Sequence, residues 1–190
     1  MDISTVITLA IIVLTIGYII IIYNGLVSLK HSVTKSLANI DVLLKQRHDE
    51  LPKLVTTCQQ YMKHEQETFE RIVKARQSVY QAQAGHSMKA LGMAETEMRL
   101  GLGSLFALAE NYPELKADQS FQQLQNRISS LENGIADRRE LYNESVNNNN
   151  IRIEQFPDVI VARMFNFGAF ELLEFAESEL KDVDMKQLFS

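Results

Sequence analysis

The stretch Ile3–Tyr23 reads ISTVITLAIIVLTIGYIIIIY and contains no charge; the first charged residue after Asp2 is Lys30. About 20 apolar residues, each rising 1.5 Å, span a hydrocarbon core of about 30 Å. The stretch is therefore read as a membrane-spanning helix from Ile3 to Tyr23. Tyr18 and Tyr23 lie toward its C-terminal end, where amphipathic rings suit the lipid–water interface. A cleaved signal peptide would need a basic leading region and a small-residue cleavage site. Met1-Asp2 supplies no base, and no Ala-x-Ala pattern follows. Lys30, Lys35, Lys45 and Arg47 follow the span and no Lys or Arg precedes it, so the positive-inside rule puts the N-terminus outside and the rest of the chain in the cytoplasm.

Beyond this anchor the composition favours long helices. The 190 residues include 8 Gly and 3 Pro, the residues that punctuate helices, and 46% of the chain is hydrophobic. A net charge of −5 lacks the basic footprint of a nucleic-acid binder, so no nucleic-acid partner is expected. The single cysteine, Cys58, excludes an internal disulfide.

Four helical segments are expected after the anchor. The first runs from about Leu26 to Glu50, continuous with the anchor or hinged at Asn24-Gly25, with a stripe of Val33, Leu37, Ile40, Leu44 and Arg47. The second starts at Pro52, a residue suited to a first helical turn, and stops at Ala84-Gly85. Its stripe is Leu51, Leu54, Cys58, Tyr61, Glu65, Phe69, Ile72, Arg76 and Tyr80. The third runs from an N-cap at Ser87 to Asn111 on a stripe of Leu91, Ala94, Met98, Leu102, Leu105, Ala109 and Tyr112, with Gly101 and Gly103 available for close helix approach. The fourth starts near Pro113-Glu114 and reaches Gln155 on Phe121, Leu124, Ile128, Leu131, Ile135, Arg138, Tyr142, Ser145, Asn149 and Ile153. A bend or fraying is expected at Asn147–Asn150, since Asn competes with the backbone for hydrogen bonds. Short connections make neighbours antiparallel. The expected class is all-α: a transmembrane helix, a long up-down four-helix bundle and a short C-terminal helical tail.

Several of these positions carry the pattern of a known family. Tyr23-Asn24-Gly25-Leu26-Val27, Ile40-Asp41-Val42-Leu43-Leu44-Lys45 and Arg47 through Val55 are followed by Tyr61, His64-Glu65 and Ala75-Arg76. Leu131-Glu132, Arg138, Tyr142-Asn143 and Glu154-Gln155-Phe156-Pro157 come later. In this order and spacing the chain resembles the LemA family over nearly its whole length. It departs from the pattern at Asn149-Asn150, where Tyr-Asn is more usual, and has no Trp near Ala38. The resemblance implies a membrane-anchored antiparallel helical bundle, typically bacterial, and carries no assigned biochemical activity. It places the anchor in an inner membrane. The domain reading is 1–24 anchor, 25–157 helical bundle and 158–190 apolar tail.

Charged groups on apolar stripes must be paired or partly solvated, because an isolated buried charge is very costly. Arg47, Glu65, Arg76 and Arg138 are therefore expected to form a buried ionic network in which Glu65 bridges arginines, whose planar fork holds two oxygens at once. Register-setting is the first role for such a network, and binding a small anion or a partner's carboxylate the second. Metal and catalytic chemistry find little support. Thr68 stands where a zinc-protease helix starting at His64-Glu65 needs its second histidine. His48-Asp49-Glu50 reads as a solvated turn, and Cys58 as a small hydrophobe. Gly101-Leu102-Gly103 lacks the lysine and context of a phosphate loop, and the formal sequon Asn143-Glu144-Ser145 is without consequence in a cytoplasmic domain. No catalytic residue, metal or cofactor is expected.

The tail is unusually apolar, with Phe165, Phe167, Phe170 and Phe175 as a candidate partner or self-association surface. Its acids, Glu171, Glu174, Glu177 and Glu179, oppose anionic lipid and favour protein contact, either with another chain or with its own bundle. The expected function is a non-enzymatic scaffold that is a homo-oligomer or gathers other membrane-associated proteins. The alternative is a sensor or accessory subunit that binds an anion through buried arginines.

Overall fold

A computed structural model describes residues 2–174. It contains α1 (Ile3–Tyr61), α2 (Gln66–Ala84), α3 (Met88–Ala109), α4 (Pro113–Ala117), α5 (Gln119–Glu154) and α6 (Asp158–Met164). Among the described residues there is no strand. The described residues fall into two compact units, residues 2–38 with Glu140–Leu172 and Asn39–Arg139 with residues 173–174.

The first unit holds the beginning of α1. No residue from Ile3 to Ile21 is buried, and α1 is the one helix among the described residues long and apolar enough to cross a membrane. Protein cover begins at Ile22 and Leu26, which pack with Val161 and Ala162 of α6 and are flanked by Ile19, Ile153 and Phe167. The chain after α6 then lies along α5. The Tyr142 hydroxyl donates to the Glu171 carbonyl at 2.8 Å. Asn150 exchanges two hydrogen bonds with the backbone of Phe170, donating to its carbonyl and accepting from its N–H at 2.9 Å each.

These contacts explain why α5 runs unbroken through Asn147–Asn150, where a bend was expected. An asparagine amide that pairs with a tertiary partner no longer competes with its own helix. Among the described residues the tail is helical as far as Met164, and Phe167–Glu174 have no regular structure.

In the second unit α2 and α3 form a helical hairpin, joined by Gly85–Ser87. His86 takes a positive φ of 52° at this turn, while Ser87 caps α3 by accepting the Ala90 N–H at 3.2 Å. Every expected stripe residue of α3 from Leu91 to Ala109 is buried. On α2 the stripe drifts by one residue, so Ala75 and Val79 are buried and Tyr80 is exposed. Of the two glycines, Gly101 faces Ile72, whose Cγ1 would lie 3.4 Å from an added Cβ, and Gly103 faces open space.

Two helix boundaries differ from expectation. Pro52 does not begin a helix but lies inside α1, and the break falls at Met62–Glu65. The helix expected from Pro113 is split: α4 ends at Asp118, which restarts the chain as α5 by accepting the Phe121 N–H at 2.8 Å. A side-chain oxygen that satisfies a free N–H of the first turn is the ordinary N-cap device.

Candidate functional site

The densest polar feature is an ion cluster on α1, α3 and α5 in the second unit. Arg47 occupies the α1 stripe one turn after Leu44, Glu95 lies between Leu91 and Met98 on α3, and Glu132 follows Leu131 on α5. The guanidinium holds Glu95 through both terminal nitrogens, Nη1 at 2.9 Å from Oε2 and Nη2 on Oε1. Nη1 also donates to Glu132 Oε1 at 2.6 Å. Arg47 and Glu95 are each 1% exposed and Glu132 is 17% exposed.

Burial works against the charge on Arg47, but the attraction of Glu95 and Glu132 outweighs it, so the guanidinium pKa is raised. Burial also raises the Glu95 carboxyl above the ordinary range. Arg47 opposes this, and the neighbouring Glu132 carboxylate adds to it. Two acids thus converge on the buried Arg47, and Arg99 adds a further attraction on Glu95. The Arg47 Nε–H is buried with no acceptor among the described residues.

The expected network is recentred rather than reproduced. Arg47 is buried and paired, but its acids are Glu95 and Glu132, not Glu65. Glu65 lies at the α1–α2 break and accepts the Tyr112 hydroxyl at 3.0 Å, which pushes the tyrosine pKa up. Arg76 donates from Nε to the His48 carbonyl at 3.0 Å. Arg138 is exposed, because the buried stripe steps from Ile135 directly to Tyr142. Glu95 was legible in principle, since Leu91, Glu95, Met98 and Leu102 keep the same four-three-four spacing as the apolar residues around it.

Of the tail phenylalanines, Phe167 and Phe170 are half-buried within the first unit and Phe165 is exposed. Phe165 and Phe167 stand edge-on to Tyr23, with ring centroids 4.8 and 5.7 Å away. Phe170 is half-buried on Asn150. Phe175 lies outside the described residues. What remains uncovered is a row on and beside α6: Phe156 at 82%, Ile160 and Met164 at 58% and Phe165 at 49% exposed.

Burial pushes the Cys58 thiol up to about 12, which makes it inert at neutral pH. Among the described residues no group of three or more His, Cys, Asp and Glu is arranged to hold a metal ion.

The sequence matches the LemA family over residues 36–186. No curated protein matches it.

Proposed function

The chain belongs to the LemA family, and from that premise we propose that it is a membrane-anchored, non-enzymatic helical-bundle protein that assembles copies of itself at the cytoplasmic face of a bacterial inner membrane. The observation that carries this reading is the contrast along α1. No residue from Ile3 to Ile21 is buried, with Ile19 alone named as packing in part against the fold, whereas Ile22, Leu26, Val33, Ile40 and Leu44 are buried in it. An apolar helix left bare on every side suits lipid.

The ion cluster supports the non-enzymatic part. A guanidinium 1% exposed and already held by two carboxylates offers no vacancy to a substrate, and a polar group of this kind serves to set helix register. The same occupancy weighs against the anion-sensor alternative. The row Phe156, Ile160, Met164 and Phe165 supports self-association, because it lies beside the chain's own anchor, where a second copy brings the same surface.

Disulfide crosslinking of Met164→Cys in native membranes tests the assembly. A crosslinked homodimer is expected. A chain that stays monomeric in the membrane contradicts it.

A further inference from the structure

In the first unit a cavity of about 340 Å³ opens beside α1, lined by Tyr23, Lys30, His31, Asn149, Phe167 and Phe170 among others, with no carboxylate in its wall. Lys30 and His31 are exposed, and neither side chain has a hydrogen-bond or ion-pair partner among the described residues. Asn149, 1% exposed, also lines the cavity, with its amide donating to the Gly168 carbonyl at 3.3 Å.

The cavity continues an apolar track. Ile16, Ile20, Tyr23, Val27 and Lys30 recur at spacings of three and four and so share one face of α1. Ile16 and Ile20 are each 53% exposed. Helical side chains lean toward the N-terminus, and Lys30 and Tyr23, two turns apart on this face, line the same cavity. Tyr23, Phe165 and Phe167 form an aromatic cluster beside Lys30 and His31, which suits the depth of a lipid glycerol backbone.

We propose that this cavity holds the phosphate of an anionic phospholipid, with Lys30 and His31 on the headgroup and an acyl chain along Ile20 and Ile16. The inference rests on the membrane-anchored reading above. A free phosphate would meet the same Lys30 and His31 but would leave the apolar track unused, and this is what favours the lipid.

The test titrates the full chain in detergent with dioleoyl phosphatidylglycerol, dioleoyl phosphatidylcholine, glycerol phosphate and inorganic phosphate, reading bound adducts by native mass spectrometry. Phosphatidylglycerol is expected to bind in preference to phosphatidylcholine. Lys30→Gln should weaken it about five-fold, the effect of one basic residue near anionic lipid. Adding His31→Asn should weaken it further, while Lys35→Gln, outside the cavity, leaves it unchanged. Thermal melts check that the variants fold. Equal binding of the two lipids, insensitivity to Lys30→Gln, or inorganic phosphate binding as tightly as the lipid overturns the proposal. Carbonate extraction of membranes carrying the wild-type chain separates the two levels. A chain that is extracted defeats the anchored reading and this inference together, whereas a chain that stays while the titration is flat defeats the inference alone.

Discussion

Arg76 donates from Nε to the carbonyl oxygen of His48, the one backbone acceptor that Pro52 leaves bare. In an α-helix the N–H of residue 52 would bond to that oxygen, but proline has no N–H. The arginine replaces it from the neighbouring helix and lets α1 run through a residue that ordinarily ends one. Arg76→Leu should therefore lower stability by about 0.5–1.5 kcal/mol, the net worth of a hydrogen bond at this part-buried site. Pro52→Ala should restore most of the loss, because the alanine N–H takes over the bond. Thermal melts of the two single variants and the double variant give the coupling; additive effects would contradict the pairing.

Arg47 and Glu95 make a second testable pair. Removing either partner alone strands a buried charge, so Arg47→Met should destabilise the protein by about 3–5 kcal/mol. Arg47→Met combined with Glu95→Leu should be much less damaging than the sum of the two. Denaturant melts in detergent check this, and a double variant as unstable as the sum would mean that the two groups act independently.

Asp118 gives the pH dependence. The Phe121 N–H and then the Tyr61 hydroxyl, at 3.0 Å, hold its carboxyl below the usual aspartate range. Because the folded pKa is depressed, the stabilisation is present above the unfolded value, near about 3.9, and is lost as pH falls through the lower folded value. Asp118→Ala should be less stable than wild type at neutral pH. The gap between their melting temperatures should close below about pH 4. A gap independent of pH would contradict this origin.

Two glycines should respond in opposite directions. A Cβ on Gly92 would sit 1.8 Å from the Glu174 carbonyl oxygen, so Gly92→Ala must displace the chain that lies over α3. A cost of about 1–3 kcal/mol is expected, with faster amide exchange around Leu173. Gly103, in the same helix with nothing within 4 Å, should gain stability by up to about 1 kcal/mol as alanine. Equal responses would contradict the local packing.

Cys58 should resist thiol reagents. With its pKa pushed up to about 12, thiolate at pH 8 is about a thousandfold scarcer than in an ordinary cysteine. Labelling by dithiobisnitrobenzoate should be slow in the native chain and fast in denaturant; equal rates would contradict its burial.

Periodicity was enough to read the helical class, the bare apolar stretch and the buried face of α3, because three-four spacing reports directly on which side of a helix meets the core. It was not enough for Pro52, whose continuation depends on Arg76, a partner 24 positions away. Nor did it anticipate an unbroken helix at Asn147–Asn150, where the amides are drawn off by the tail. Arg47 stood out because a charge interrupted an apolar stripe. Glu95 obeyed the same rule but had Ala94 beside it as an apolar occupant of the stripe. Arg138 followed the spacing and is exposed, since nothing in the spacing tells which flank of Ile135 and Tyr142 the neighbouring helices cover.

The central claim is that the start of α1 crosses a bilayer with the folded part inside, and paired cysteine accessibility in intact cells tests it most directly. Ser4→Cys and Asp137→Cys, both at exposed positions, are introduced separately on a Cys58→Ser background and treated with a membrane-impermeant maleimide. The account predicts that Ser4→Cys is labelled from outside and Asp137→Cys only after lysis. Labelling of Asp137→Cys in unbroken cells, or recovery of the chain in the soluble fraction, would contradict it.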